Sequence, residues 1–144
     1  MLEVKFYDTV DDALLKFAVI ISRSNGKWVL CKHKERDTYE VPGGHREAGE
    51  HIFETAKREL HEETGAVKFD IKPLCVYSVT GRTSVNGNGE ESFGLLCFAE
   101  IMEFSGKLEN EIEKVELMDE LPENWTYPLI MPKLIEEYER RKYE

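Results

Sequence analysis

Gly44-His-Arg-Glu-Ala-Gly-Glu-His-Ile-Phe-Glu-Thr-Ala-Lys-Arg-Glu-Leu-His-Glu-Glu-Thr-Gly65 begins and ends on glycine, and its second half carries charge at helical spacing. About residues 51–64 are predicted to be helical, with Gly65 as a left-handed C-cap. At roughly 100° per residue from Ile52, the apolar Phe53, Ala56 and Leu60 fall within about 100° of it and form a core-facing stripe. On the same wheel Glu59 falls near about 340°, Glu62 near about 280° and Glu63 near about 20°. Glu63 therefore lies inside the apolar arc and Glu59 at its edge. Like charges at this spacing destabilise a helix by a few tenths of a kcal/mol. Setting one beside a core costs more unless something compensates it. Lys57 points elsewhere, and Arg58 can pair with Glu62 but not neutralise all of them. A solvated acidic face is the ordinary reading of a charged helix, and here the geometry opposes it. A divalent cation supplies the missing charge. Hard carboxylate oxygens suit Mg²⁺ or Mn²⁺, and Mg²⁺ readily shares its shell with substrate phosphates.

Upstream of this helix, residues 17–21 read as a buried strand and 22–26 as a turn, with Asn25-Gly26 a hairpin signal. Residues 27–33 form the returning strand, and Pro42-Gly43-Gly44 reads as a stop. Downstream, 67–80 reads as one or two strands and 81–91 as a loop or hairpin tip. A long apolar strand follows at 92–104 and a short one at 115–118. Residues 128–143 have Ile130, Leu134, Ile135 and Tyr138 at helical spacing. Strands, helix, strands, helix imply one α/β or α+β domain over residues 1–144, with a mixed sheet between helices.

The 144 residues include 29 acidic and 19 basic side chains, a net charge of −10. A direct grip on nucleic acid through its phosphates needs a basic face, so this balance excludes one. Bound cations are the way around that repulsion. Residues 44–67 hold six acids against three bases, and 100–144 hold thirteen against six. The acid-rich helix is thus marked by where its carboxylates point rather than by their number. Cys31, Cys75 and Cys97 lie in apolar runs with no C-x-x-C pair, which reads as buried, reduced thiols. The N-terminal residues carry Glu3, Asp8, Asp11 and Asp12 and no signal-like pattern, and the longest apolar run, 17–21, is too short for a bilayer. The expectation is a soluble cytoplasmic protein that does not engage membranes.

Gly44, Glu50, Arg58-Glu59-Leu60, Glu62-Glu63 and Gly65 together resemble the Nudix box, G-x5-E-x7-R-E-U-x-E-E-x-G-U with U a bulky aliphatic. The motif spans residues 44–66, and every charged and glycine position is present. Ala66 stands at the last U, and neighbouring Val67 can supply the missing bulk. Val41-Pro42-Gly43 also resembles the family's approach to the box. The resemblance implies an α/β/α sandwich that hydrolyses a nucleoside diphosphate linked to another group, with Mg²⁺ or Mn²⁺ held against the diphosphate. Carried over, Glu59, Glu62 and Glu63 resemble the metal ligands, and the Gly43 carbonyl is a further candidate. Glu50 resembles the additional carboxylate that salt-bridges Arg58 or assists at the metal, and Arg58 the residue that orients Glu59. Glu59, Glu62, Arg58 and Glu50 are thus the candidate catalytic residues. Many members draw another carboxylate from outside the box, and Glu111 best resembles it among Glu109, Glu111, Glu113 and Glu116.

Lys34 and Arg36, beside His33 and Lys32, form a basic cluster before the glycine turn and are candidate phosphate contacts, with Gly44. His45, His51 and His61 read as exposed. Trp28, Tyr39, Tyr77 and Phe93 could stack a base, and core packing is the ordinary reading of each. The proline typical of the family's ADP-ribose hydrolases has no match, since Pro73 comes too early. Nor is the tyrosine typical of dinucleoside-polyphosphate hydrolases found at residues 81–84. What remains is a (deoxy)nucleoside triphosphate, an oxidised purine among the versions, cleaved to monophosphate and pyrophosphate. Nucleotide sugars, dinucleoside polyphosphates and a non-catalytic nucleotide sensor are the alternatives. Many relatives dimerise, so a homodimer is among the partners the resemblance implies.

Overall fold

The structure, a computed structural model, describes residues 2–81, 89–105 and 112–141. Nearly continuous burial along Leu15–Ser24 (β2) explains the whole architecture. Phe17, Val19 and Ile21 point to one apolar cluster, while Leu15, Ala18 and Ile20 point to another. Side chains alternate across a strand, so a strand apolar on both faces must be covered on both. Ile52–Thr64 (α1) covers one face with Ile52, Ala56 and Leu60. Met131–Arg141 (α2) covers the other with Met131, Leu134, Ile135 and Tyr138. The sheet lies between the two helices, as the sequence implies.

The sheet has seven strands among the described residues. Glu3–Tyr7 (β1), Ala66–Thr80 (β5), Ser92–Phe104 (β6), β2, Lys27–His33 (β3) and Ile112–Met118 (β7) run in that order. Gly43–His45 (β4) pairs with β2 off this path. β2 and β6 are parallel and the other pairs antiparallel, so the sheet is mixed. Asn25 and Gly26 both take positive φ in the β2–β3 turn, the geometry that matches the twist of a hairpin.

Several expected boundaries move. Residues 43–45 are a strand rather than a stop, because glycine backbone fits beside β2 where a side chain would not. A Cβ at Gly43 would stand 2.6 Å from the Ala18 carbonyl. Residues 66–80 are one strand, and its register shifts between Pro73 and Cys75, which accommodates the proline's missing N–H. β1 and a single 3-10 turn at Asp12–Leu14 were not anticipated. The C-terminal helix starts at Met131, later than 128, with Pro132 in the first turn where no donor is needed. The tip of the 81–91 loop, at 82–88, lies outside the described residues. All three cysteines are free and buried, as read from the sequence.

α2 also walls the cavity described below; Arg141 donates to the Leu74 carbonyl of β5 at 3.5 Å, and a charged clasp within the helix holds Arg141. Glu137 is 7% exposed and accepts hydrogen bonds from Arg140 and Arg141. Burial pushes the carboxyl up, but the two guanidinium groups outweigh it and hold it below the usual 4.5. A carboxylate with a depressed folded pKa stabilises above its unfolded value, and that stability is lost as pH falls through the folded value. Glu137→Gln is therefore expected to cost about 1–3 kcal/mol at pH 7. The difference from the parent should shrink on acidification below pH 4.5. Urea midpoints at pH 7 and pH 3 check this; an equal difference at both would count against the clasp.

Candidate active site

Gly44 lies close against the acid helix. A Cβ there would meet the Glu59 carboxylate at 2.3 Å, so a larger residue would force the Glu59 side chain to move. α1 opens with a capping box between His51 and Glu54 and ends at Gly65, whose φ of 76° allows its N–H to donate to the His61 carbonyl at 2.8 Å. Both ends are thus fixed locally, and the three carboxylates hang from a rigid element.

Arg58 reaches further than its helical spacing suggests. Its Nε donates to Glu50 Oε2 at 2.7 Å and its Nη1 to Glu59 Oε1 at 2.6 Å and Glu62 Oε2 at 3.3 Å. Nη2 adds Glu50 Oε1 at 3.1 Å and the His45 carbonyl at 3.0 Å. Arg58 therefore ties Glu59 and Glu62 to Glu50: helical spacing gave the Glu62 pair, and the family resemblance implied the Glu50 and Glu59 contacts. Five donors in a fixed fork make this arrangement available to arginine and not to lysine. Glu50 also accepts from the Thr55 hydroxyl at 2.7 Å and the Glu47 N–H at 3.0 Å. The Arg58 and Thr55 hydrogen bonds hold its carboxyl down at about 2. A carboxylate held so low is a poor proton acceptor. Glu50 braces Arg58.

Glu63 is the carboxylate Arg58 does not hold. It accepts from the Gly43 N–H at 2.8 Å, and its side chain is 14% exposed. Burial, reinforced by nearby Glu59, Glu40 and Glu62, pushes its carboxyl up to about 8 despite that hydrogen bond. Burial also raises Glu59, against the pull of Arg58. Among the described residues, no three His, Cys, Asp or Glu side chains converge as a metal-binding group in their present rotamers. Arg58 and the Gly43 N–H draw them apart. The donor chemistry nevertheless fits a hard divalent cation: oxygen donors on one helix face, two of them raised by burial and mutual repulsion. Glu59, Glu62 and Glu63 would hold it. Glu109 and Glu111 lie outside the described residues.

Glu40 was not singled out from the sequence. It is 8% exposed, with Oε1 2.8 Å from His33 Nε2 and Oε2 3.3 Å from Arg36 Nη1. His33 Nε2 also lies 4.0 Å from Glu63 Oε2. His33 is thus turned into the site rather than left at a solvated strand end. An acid directly before Val41-Pro42-Gly43 was the available signal. His45, His51 and His61 are exposed as expected, and His61 additionally bonds the Ala66 carbonyl through Nδ1 at 2.8 Å.

These groups border a cavity of about 500 Å³, within the range of small-molecule sites. Gly43, Gly44, Glu63, Glu40 and His33 line it, and so do Lys34 and Arg36 of the basic cluster. The rest of the lining is mostly apolar and aromatic, with Phe17, Tyr77, Val79, Tyr127, Ile130 and Met131. Arg36 hydrogen-bonds Tyr127. The 124–127 segment is strapped to 37–40 by the Tyr39 N–H to Asn124 carbonyl bond at 3.0 Å and the Thr126 N–H to Tyr39 carbonyl bond at 2.9 Å.

Sheet, helices and cavity define a two-helix α+β sandwich whose acid-rich helix stands beside a small-molecule cleft. The chain belongs to the Nudix family, matching the NUDIX domain over residues 14–137. It is 39% identical over 114 residues to the Bacillus subtilis (strain 168) protein named "Putative 8-oxo-dGTP diphosphatase YtkD". That match covers 76% of this chain and 65% of the relative, just under two thirds of the relative's length. A variant of the Bacillus subtilis pyrophosphohydrolase BsRppH superposes with a TM-score of 0.79 at 28% identity, covering 99% of this chain and 92% of that one. The NUDIX domain of Shewanella oneidensis NrtR, solved with ADP ribose, superposes at 0.66 with 18% identity over 91% of this chain and 90% of that one, a likeness of fold. Among the described residues, no helix is long and apolar enough to cross a membrane.

Proposed function

We propose that this chain is a Nudix hydrolase acting on a (deoxy)nucleoside triphosphate, an oxidised purine among the candidates, and releasing the monophosphate and pyrophosphate. One observation carries the reading. A carboxylate helix braced by Arg58 borders, through Glu63, a cavity lined both by charged groups and by aromatic and apolar side chains. A polyphosphate suits the charged lining and a nucleoside the aromatic and apolar lining. The names of the two Bacillus relatives, a diphosphatase of a purine triphosphate and a pyrophosphohydrolase, support it.

When bound, a divalent ion (Mg²⁺ in our reading, with Mn²⁺ the alternative) offsets charge on phosphate oxygens and lowers the pKa of water. The chain's own residues do the rest. Arg58 fixes the Glu59 and Glu62 side chains, Glu50 locks Arg58, and Gly44 leaves room for Glu59. Lys34 and Arg36 face the cavity and offer cations to phosphate oxygens. Water adds to one phosphorus, the bridging P–O bond breaks, pyrophosphate leaves, and one proton is released. Direct nucleic-acid binding has no part in this reading, and its setting is the cytoplasm.

A panel of nucleoside triphosphates, nucleotide sugars and dinucleoside polyphosphates with Mg²⁺, scored for pyrophosphate and phosphate release, tests it. Pyrophosphate from a triphosphate is expected. Turnover confined to nucleotide sugars or dinucleoside polyphosphates would replace the substrate. Tight binding with no release anywhere would make the protein a sensor and end the enzymatic reading.

A further inference from the structure

Tyr77 is the buried polar group that the proposed chemistry leaves unused. Its position is set by register. Phe17 on β2 pairs with Gly94 on β6, and Gly94 pairs with Tyr77 on β5, so the three stand in one row across the sheet. A Cβ at Gly94 would meet the Phe17 ring at 2.2 Å. The missing side chain lets that ring lie across the gap, where it meets the Tyr77 ring edge-on, with centroids 5.5 Å apart at 60°. Phe17 and Tyr77 both line the cavity.

Tyr77 is only 3% exposed, yet among the described residues its hydroxyl makes no hydrogen bond. Neighbouring tyrosines differ. Tyr7 donates to Glu91 at 2.6 Å, and Tyr127 bonds Arg36. Tyr and Trp carry a polar tip that usually finds a partner when the ring is buried. Plain core packing would be served as well by phenylalanine. Tyr77 lines the cavity, so a bound molecule can supply the partner.

We infer that Tyr77 reads the nucleobase, its hydroxyl meeting an exocyclic carbonyl or amino group while the Phe17 ring carries the base. The inference rests on the nucleotide reading above and extends it from phosphate to base. Burial raises the phenol's pKa, so it stays protonated and can donate or accept. One hydroxyl thus serves either a carbonyl or an amino edge, and it selects for the presence of such a group. One neutral hydrogen bond supports a discrimination of about tenfold.

The test compares kcat/KM for GTP with that for purine riboside 5′-triphosphate, which lacks both exocyclic groups, in the parent and in Tyr77→Phe. The parent should prefer GTP by about tenfold, and the variant by about onefold, with the change in KM and the thermal midpoint held. Equal use of the two nucleotides by the parent overturns the inference without any variant. So does a Tyr77→Phe enzyme that keeps the preference, or one that loses activity equally on both. Failure of the parent to hydrolyse any triphosphate is a separate result, which removes the nucleotide reading itself.

Discussion

Glu62→Gln is expected to lower turnover by about a hundredfold to a thousandfold while leaving the protein folded. The amide is nearly isosteric with the acid and keeps an oxygen that can accept from Arg58 Nη1, now at 3.3 Å. What it removes is one negative charge from a helix face with Glu59 and Glu63 beside it. For folding, that loss is close to neutral. Arg58 still has Glu50 and Glu59 as partners, and repulsion among the acids falls. For a hard cation the loss is severe, because a neutral amide oxygen is a much weaker donor than a carboxylate. Pyrophosphate release at saturating Mg²⁺ and substrate, with a thermal melt alongside, separates the two effects. Unchanged turnover would remove Glu62 from the ligand set.

Arg58→Met should damage both stability and activity. The side chain is 22% exposed, and its guanidinium makes five hydrogen bonds, to three carboxylates and the His45 carbonyl. Removing one partner from a largely buried ionic network costs more than the network itself contributes, because the remaining charges lose their compensation. Glu50, at 13% side-chain exposure, and Glu59, at 12%, would be left as neighbouring acids. A loss of about 2–4 kcal/mol is expected, seen as a shift of the urea midpoint. Turnover of the fraction that stays folded should also fall, by about a hundredfold, since Glu59 loses the group that fixes its rotamer. Arg58→Lys should restore little of either, because an ammonium cannot reproduce the fork. Full recovery with lysine would show that charge alone matters at this position.

Much of this protein is legible from local spacing. A helix repeats every few residues, so the placement of Glu59 and Glu63 against the stripe of Ile52, Ala56 and Leu60 follows from chain order. The same holds for the Gly65 cap and the Asn25-Gly26 turn, which depend on the φ values those residues tolerate. The unbroken apolar run at 17–21 also announced a buried strand. Residues far apart in the chain escaped such reasoning. Glu40 and His33 approach Glu63 only because β3 and the Pro42 turn run beside the end of α1. The place of Glu40 before Val41-Pro42-Gly43 hints at the site, but only the fold buries it to 8% exposure. Tyr77 is the clearest case. Its ring meets Phe17 across Gly94, and that row exists only once β2, β6 and β5 have paired in one register. Chain order determined the acid helix, because its geometry is built from contacts between near neighbours. Tertiary structure decided which distant acids crowd that helix and which tyrosine lines the cavity, because strand register is settled by pairing between segments no local pattern connects.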